Sequence, residues 1–91
     1  MTTSTGLGID KDLVVVGLGY VGLPLAREAC RAGLRVGGLD RDTRVIDNLN
    51  AGHSHIDDVG DPEVGEMLAA GFTSSADENL LDSARTMIIC V

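Results

Sequence analysis

Leu13-Val14-Val15-Val16 runs without a polar residue straight into Gly17-Leu18-Gly19-Tyr20-Val21-Gly22, and this junction constrains the chain more than any other stretch. Consecutive apolar, mostly β-branched residues suit a strand covered on both faces, and such strands belong to parallel sheets flanked by helices. A parallel neighbour is reached only through a crossover. The sequence supplies one: Val21, Leu25 and Ala29, with Ala26 and Cys30, recur at helical spacing. Pro24 falls in the first turn, where a missing N–H costs least, and Gly33 stands where a left-handed C-terminal cap is wanted.

The alternation continues. Leu34 to Leu39 reads as a second strand ending at Asp40, and Thr43 to Leu49 as a short helix with Val45, Ile46 and Leu49 inward, closed by Gly52. His53 to Asp61 is polar and irregular. Pro62 to Ala70 has Pro at a first helical position, with Glu63 and Glu66 near the positive end and Gly71 after it. Phe72 to Ser75 is a short strand, Asp77 to about Ala84 a weak helix, and Thr86 to Val91 another continuous apolar strand. The order βαβα predicts an α/β fold. It is the N-terminal part of a Rossmann-type doubly wound parallel sheet, with strands at about 13–17, 35–40, 72–75 and 86–91 in spatial order 3-2-1-4. Residues 1–12 form a flexible lead, and 13–91 one domain of this type that stops before its last strands. The last strand then becomes an exposed, apolar sheet edge, so self-association is expected.

Gly17 to Gly22 fits G-x-G-x-x-G. The first glycine allows the tight turn, the second lets backbone approach a pyrophosphate, and the third packs helix against strand. The helix N-terminus then faces the phosphates with its free N–H groups and positive dipole end. Asp40, 18 positions after Gly22, falls at the second strand's tip, where a carboxylate accepts hydrogen bonds from an adenosine ribose diol. This selects NAD over NADP: a 2′-phosphate about 4 Å away meets ~4 kcal/mol of repulsion per charge pair at an effective dielectric near 20. Arg41 and Arg44 offset part of it, and either stacks on adenine or is an ordinary surface charge.

Composition narrows the partners. Seven Lys+Arg against 14 Asp+Glu give a net charge of −7, which excludes a broad nucleic-acid or anionic-membrane surface. One Tyr, one Phe and no Trp leave too few platforms for base stacking. Cys30 and Cys90 match no metal-ligand spacing and read as buried free thiols of a reducing compartment. With no targeting pattern and no membrane-length apolar run, the chain is expected in the cytoplasm. His53, His55, Asp57 and Asp58 lack zinc-site spacing and read as a solvated loop, so no metal is expected. Asp77, Glu78 and Asp82 flank a helix start, where acidic residues favour the dipole.

Val15-Val16-Gly17-Leu18-Gly19-Tyr20-Val21-Gly22-Leu23-Pro24-Leu25-Ala26 resembles the UDP-glucose/GDP-mannose dehydrogenase family, and the Tyr-Val-Gly-Leu-Pro-Leu continuation sets it apart from a generic dinucleotide fold. The similarity continues through Leu39-Asp40, Leu49-Asn50-Ala51-Gly52, Ser54-His55-Ile56 and Ile88-Ile89-Cys90-Val91. Ser54-His55-Ile56-Asp57-Asp58 is more similar to the UDP-N-acetylhexosamine branch (glucosamine or mannosamine) than to the UDP-glucose branch. The resemblance implies oxidation of the C6 alcohol of a UDP-sugar to a carboxylate with two NAD. It also implies that Gly17, Gly19, Tyr20, Val21 and Gly22 cradle the pyrophosphate, that Asp40 holds the ribose, and that Ser75 and Val91 border the cofactor. Val45 stands where the family usually has a basic residue, leaving Arg41 and Arg44 as substitutes.

The family's catalytic Cys, Lys and Asn and its sugar-binding domain correspond to sequence after Val91, so no catalytic residue is expected among these 91 and the chain alone is expected to be inactive. Expected partners are NAD, further copies of the chain in a homo-oligomer and, in the complete enzyme only, the UDP-sugar. Two other readings are an NAD-sensing regulatory module, like those attached to potassium transport systems, and a truncated remnant without function. The Tyr20-to-Ala26 continuation argues against the first.

Overall fold

The computed structural model describes residues 10–90. Val91, and residues 1–9 of the expected lead, lie outside the described residues. The elements are β1 (Lys11–Val16), α1 (Gly22–Arg31), β2 (Val36–Leu39), α2 (Thr43–Asn50), α3 (Asp61–Ala69), β3 (Thr73–Ser75), a 3₁₀ helix (Glu78–Ser83) and β4 (Ala84–Ile89). The four strands form one parallel sheet in the order β3-β2-β1-β4. This is the Rossmann-type arrangement expected from the sequence.

β1 starts at Lys11, two residues before its apolar run. Lys11 is 8% exposed and its ammonium donates to the Gly71 carbonyl at 3.3 Å. Asp12 binds Arg35 through the Arg35 backbone N–H (2.8 Å) and guanidinium (3.0 Å). These polar partners extend the strand beyond what hydropathy marks. They also fix the start of β2 at Val36, because Leu34 is still engaged in the cap of α1 through its N–H to the Ala29 carbonyl.

Leu13 and Val15 of β1 enter a single apolar cluster with Leu23, Ala26 and Ala29 of α1, Ile46 and Leu49 of α2, Val64 and Met67 of α3, and Phe72. Ile56 and Val59 join it, so the polar connection between α2 and α3 is also a plug in the core. The side chains of Val14 and Leu80 each come 3.4 Å from where a Cβ on Gly37 would stand. Val45 packs partly buried on the cluster, which explains an apolar residue five positions after Asp40.

The starts of α2 and α3 are fixed locally. Asp42 accepts the Arg44 N–H at 3.0 Å, and Glu63 accepts the Gly60 N–H at 2.9 Å. Arg27 bridges α1 to Glu63 (3.1 Å) and to the Asp58 carbonyl (2.9 Å), and Arg31 reaches Glu63 at 2.9 Å. The helix expected over 77–84 is a 3₁₀ helix. Asp77 caps the Asn79 N–H, the Leu80 N–H returns to Asp77, and the Ser83 hydroxyl donates to the Leu80 carbonyl before a second α-turn can be added.

One expectation about burial is corrected. Cys30 and Cys90 are free thiols but only partly buried, Cys30 at the rim of the core and Cys90 one residue past the end of β4. β4, by contrast, is the exposed apolar edge that the strand order predicts: it pairs only with β1 among the described residues, and Met87, Ile88 and Ile89 are exposed.

Candidate dinucleotide site

At the C-terminal ends of β1 and β2 the sheet opens into a cleft of about 620 Å³. Val16, Gly17 and Gly19 form one side, and Leu39, Asp40 and Arg41 another. Ala76, Glu78 and Leu81, with Ile89 and Cys90, complete it. In doubly wound sheets this crevice, where strand order reverses, is the ligand position.

The three glycines of the turn differ in what surrounds them. Gly17 has φ +96° and an added Cβ would lie 2.1 Å from the Cys90 carbonyl oxygen. At Gly22 a Cβ would lie 1.6 Å from the Gly17 carbonyl oxygen, so α1 sits against the turn with no room for a methyl group. At Gly19 nothing lies within 4 Å. The fold therefore fills two of these positions and leaves the third open to the cleft. Leu18, between them, is fully buried, and Gly38 of β2 makes the room for it: a Cβ there would come 2.7 Å from a Leu18 methyl group.

Asp40 is fixed by two backbone donors, Leu18 N–H to Oδ2 and Asp42 N–H to Oδ1, both at 2.9 Å. Its own N–H donates to the Ser75 carbonyl at 3.2 Å. A carboxylate has about four acceptor positions, so it can still accept from a diol. The Arg44 N–H on Asp42 holds that neighbouring carboxyl below the usual range.

Of the residues expected from sequence, Gly17, Gly19, Asp40 and Arg41 line the cleft together. Gly22 lies against Gly17, and Tyr20 and Val21 project into solvent at 73% and 69% exposure. Arg44 and Ser75 are not among the residues lining the cleft. Arg44 lies in solvent with Nε 3.5 Å from Asp42, and the Ser75 hydroxyl accepts the Asp77 N–H. Val91 is outside the described residues.

The cleft also includes Ala76, just before the weak helix expected over 77–84, and Glu78 and Leu81 within it, none of which the sequence marked as site residues. The signal was available in the topology: in the order 3-2-1-4 the segment after the third strand must cross the sheet to reach the far side of β1. His55 is half-buried against the Leu18 carbonyl and not solvated. No cluster of three or more His, Cys, Asp or Glu suited to a metal exists among the described residues. No described helix is long and apolar enough to cross a membrane.

An ADP-bearing dinucleotide fits this donor set. Open space over Gly19 admits a pyrophosphate beside the first turn of α1, which carries no acidic residue, and Asp40 stands at the tip of β2.

Residues 11–91 match the family model described as UDP-glucose/GDP-mannose dehydrogenase family, NAD binding domain. The UDP-N-acetyl-D-mannosamine dehydrogenase of Pyrococcus horikoshii is 36% identical over 81 residues, covering 87% of this chain and 19% of that protein. The solved structure of the same organism's UDP-D-ManNAc dehydrogenase superposes with a TM-score of 0.80 at 34% identity, covering 87% of this chain and 19% of that one. That of a UDP-glucose dehydrogenase from Pyrobaculum islandicum gives a TM-score of 0.82 at 30% identity, covering 92% and 20%. The chain thus spans about a fifth of the length of these relatives.

Proposed function

Because this chain belongs to the UDP-glucose/GDP-mannose dehydrogenase family as its NAD-binding domain, we propose that its cleft holds the adenosine diphosphate half of NAD. We further propose that a longer protein containing it oxidises the C6 alcohol of a UDP-N-acetylhexosamine to a carboxylate with two NAD. The observation that carries the cofactor reading is the contrast among the three glycines. Only Gly19 has room above it, and Gly19 lines the same cleft as Asp40. In this reading Gly17 and Gly19 border the pyrophosphate, Gly22, Tyr20 and Val21 offer it backbone amides, and Asp40 accepts the ribose hydroxyls. Ala76 and Leu81 form an apolar wall for the adenine, with Arg41 opposite.

NAD when bound supplies the hydride acceptor. The residues of this chain bind and orient it, and none is assigned covalent chemistry. Burial pushes the Cys30 thiol up, away from the thiolate a nucleophile needs. Alone, the chain is expected to bind cofactor without turnover. The UDP-N-acetylhexosamine assignment is supported by the similarity to the mannosamine dehydrogenase and by Ser54-His55-Ile56.

Calorimetric titration with NAD and NADP tests the cofactor reading. Wild type is expected to bind NAD saturably and NADP at least about tenfold more weakly, a difference of about 1.4 kcal/mol. Asp40→Ala should narrow that ratio. The ratio is the informative quantity, since loss of the Leu18 bond to Asp40 weakens both ligands together. A folded wild type that binds neither dinucleotide removes the reading.

A further inference from the structure

His55 reaches the glycine turn from the connection between α2 and α3. Its Nε2 lies 2.5 Å from the carbonyl oxygen of Leu18, 37 residues earlier in the chain. A carbonyl only accepts, so Nε2 carries the hydrogen and donates it. Nδ1 is sealed from solvent and meets no hydrogen-bond partner among the described residues. A buried polar atom without a partner is costly. The ring is held there by its backbone: the Ser54 hydroxyl closes a turn on Ile56, the Ser54 N–H donates to Asp61 at 2.8 Å, and Ile56 is anchored in the core.

Leu18 is clamped from both sides. Its N–H donates to Asp40 and its carbonyl accepts from His55. No described peptide bond is cis. In a trans peptide the carbonyl oxygen and the following N–H point in opposite directions. The bond from His55 therefore turns the Gly19 N–H away from the imidazole, and Gly19 is the turn residue that lines the cleft with open space over its Cα.

We infer that His55 is a positioning residue for the cofactor phosphates, setting the direction of the Gly19 N–H through the Leu18 carbonyl without touching the ligand. This rests on the cofactor reading above and extends it to a residue from a different part of the fold.

The test compares wild type with His55→Phe and His55→Leu, which remove the donor, and His55→Gln, which returns an N–H at similar reach. Nitrogen-15 spectra of the ring, thermal melts, and calorimetric affinities for adenosine, ADP and NAD are measured. The wild-type ring should carry its hydrogen on Nε2. The donor-free variants should keep adenosine affinity and lose about tenfold for ADP and NAD, the size of one hydrogen bond. His55→Gln should restore most of that loss, which a merely structural role would not produce.

A hydrogen on Nδ1 overturns the inference, as does equal loss for adenosine and ADP or failure of His55→Gln to restore. Wild type that binds ADP and NAD, with donor-free variants unchanged, overturns this inference alone. Wild type that binds neither overturns the cofactor reading and this inference with it.

Discussion

Leu13-Val14-Val15-Val16 in β1 and Met87-Ile88-Ile89 in β4 are near-equivalent apolar runs, paired side by side in register, and they end in opposite environments. Val14 and Val15 are fully buried, whereas Met87 is 52% and Ile89 64% exposed. β1 has a neighbour on each side and helices over it, while β4 among the described residues has β1 alone. An apolar run thus reports the environment a strand is suited to, and its place in the sheet order decides what it receives. The contrast sharpens at the tips. Where β1 ends, Gly17 has no space for a methyl group beside Cys90, while the outer face of β4, one residue earlier, is open.

The largest expected effect lies on the tight side. Gly22→Val pushes side-chain atoms onto the Gly17 carbonyl and should cost about 3 kcal/mol or more, abolishing the cooperative urea transition of a domain this small. Gly19→Ala should leave the urea midpoint within about 0.5 kcal/mol of wild type and remove NAD binding in calorimetry. Equal behaviour of the two variants would break the distinction between a glycine the fold requires and one the ligand requires.

Acid should act next, and unevenly. Asp12 is held below its usual pKa first by the Arg35 side chain, Asp42 by the Arg44 N–H, Asp61 by the Ser54 N–H and Glu63 by the Gly60 N–H. Because the folded values lie below the unfolded ones, their stabilisation is fully present above about pH 5 and is lost as pH falls through and below about 4. Urea midpoints should be level from pH 7 to 5 and drop below that. Asp42, Asp61 and Glu63 guard the entries of α2 and α3, whereas Asp12 alone guards the start of β1. Amide exchange should therefore rise in α2 and α3 before the β1–β4 pairing.

The smallest effect on folding is expected on the open side. Met87→Lys should change stability by less than about 0.5 kcal/mol. It should nevertheless reduce self-association in sedimentation velocity, since lysine on an exposed edge opposes strand pairing. Wild type that sediments as a monomer at every concentration would show that the exposed face of β4 is harmless.

Strand number, strand order and the glycine turn were legible because each rests on contiguous residues: apolar runs for strands, G-x-G-x-x-G for the turn, an acid at the next strand end. Features built from distant residues were not. Leu18 looks like a variable position between two glycines, and its burial depends on Gly38, 20 positions away, lacking a side chain. His55 sits among polar residues whose local pattern is that of a solvated loop, and only the tertiary path brings it to Leu18. Lys11 belongs to β1 through the Gly71 carbonyl, 60 residues on. Arg44 was a reasonable neighbour for the cofactor by sequence, but the rotation of α2 turns Val45 toward the core and Arg44 into solvent.

Anyone re-engineering this domain to accept a 2′-phosphorylated cofactor would begin at Asp40, and the two backbone bonds it accepts change what that exercise can achieve. Its Oδ2 holds the Leu18 amide and its Oδ1 the Asp42 amide. Replacement by serine or alanine removes the charge that repels phosphate and also unties the loop from the start of α2. Asparagine keeps a single acceptor oxygen, so one of the two ties must go. A successful switch therefore calls for a compensating graft that rebuilds the lost tie from another residue, and single-site libraries at this position should return variants that relax selectivity only by losing affinity for both cofactors.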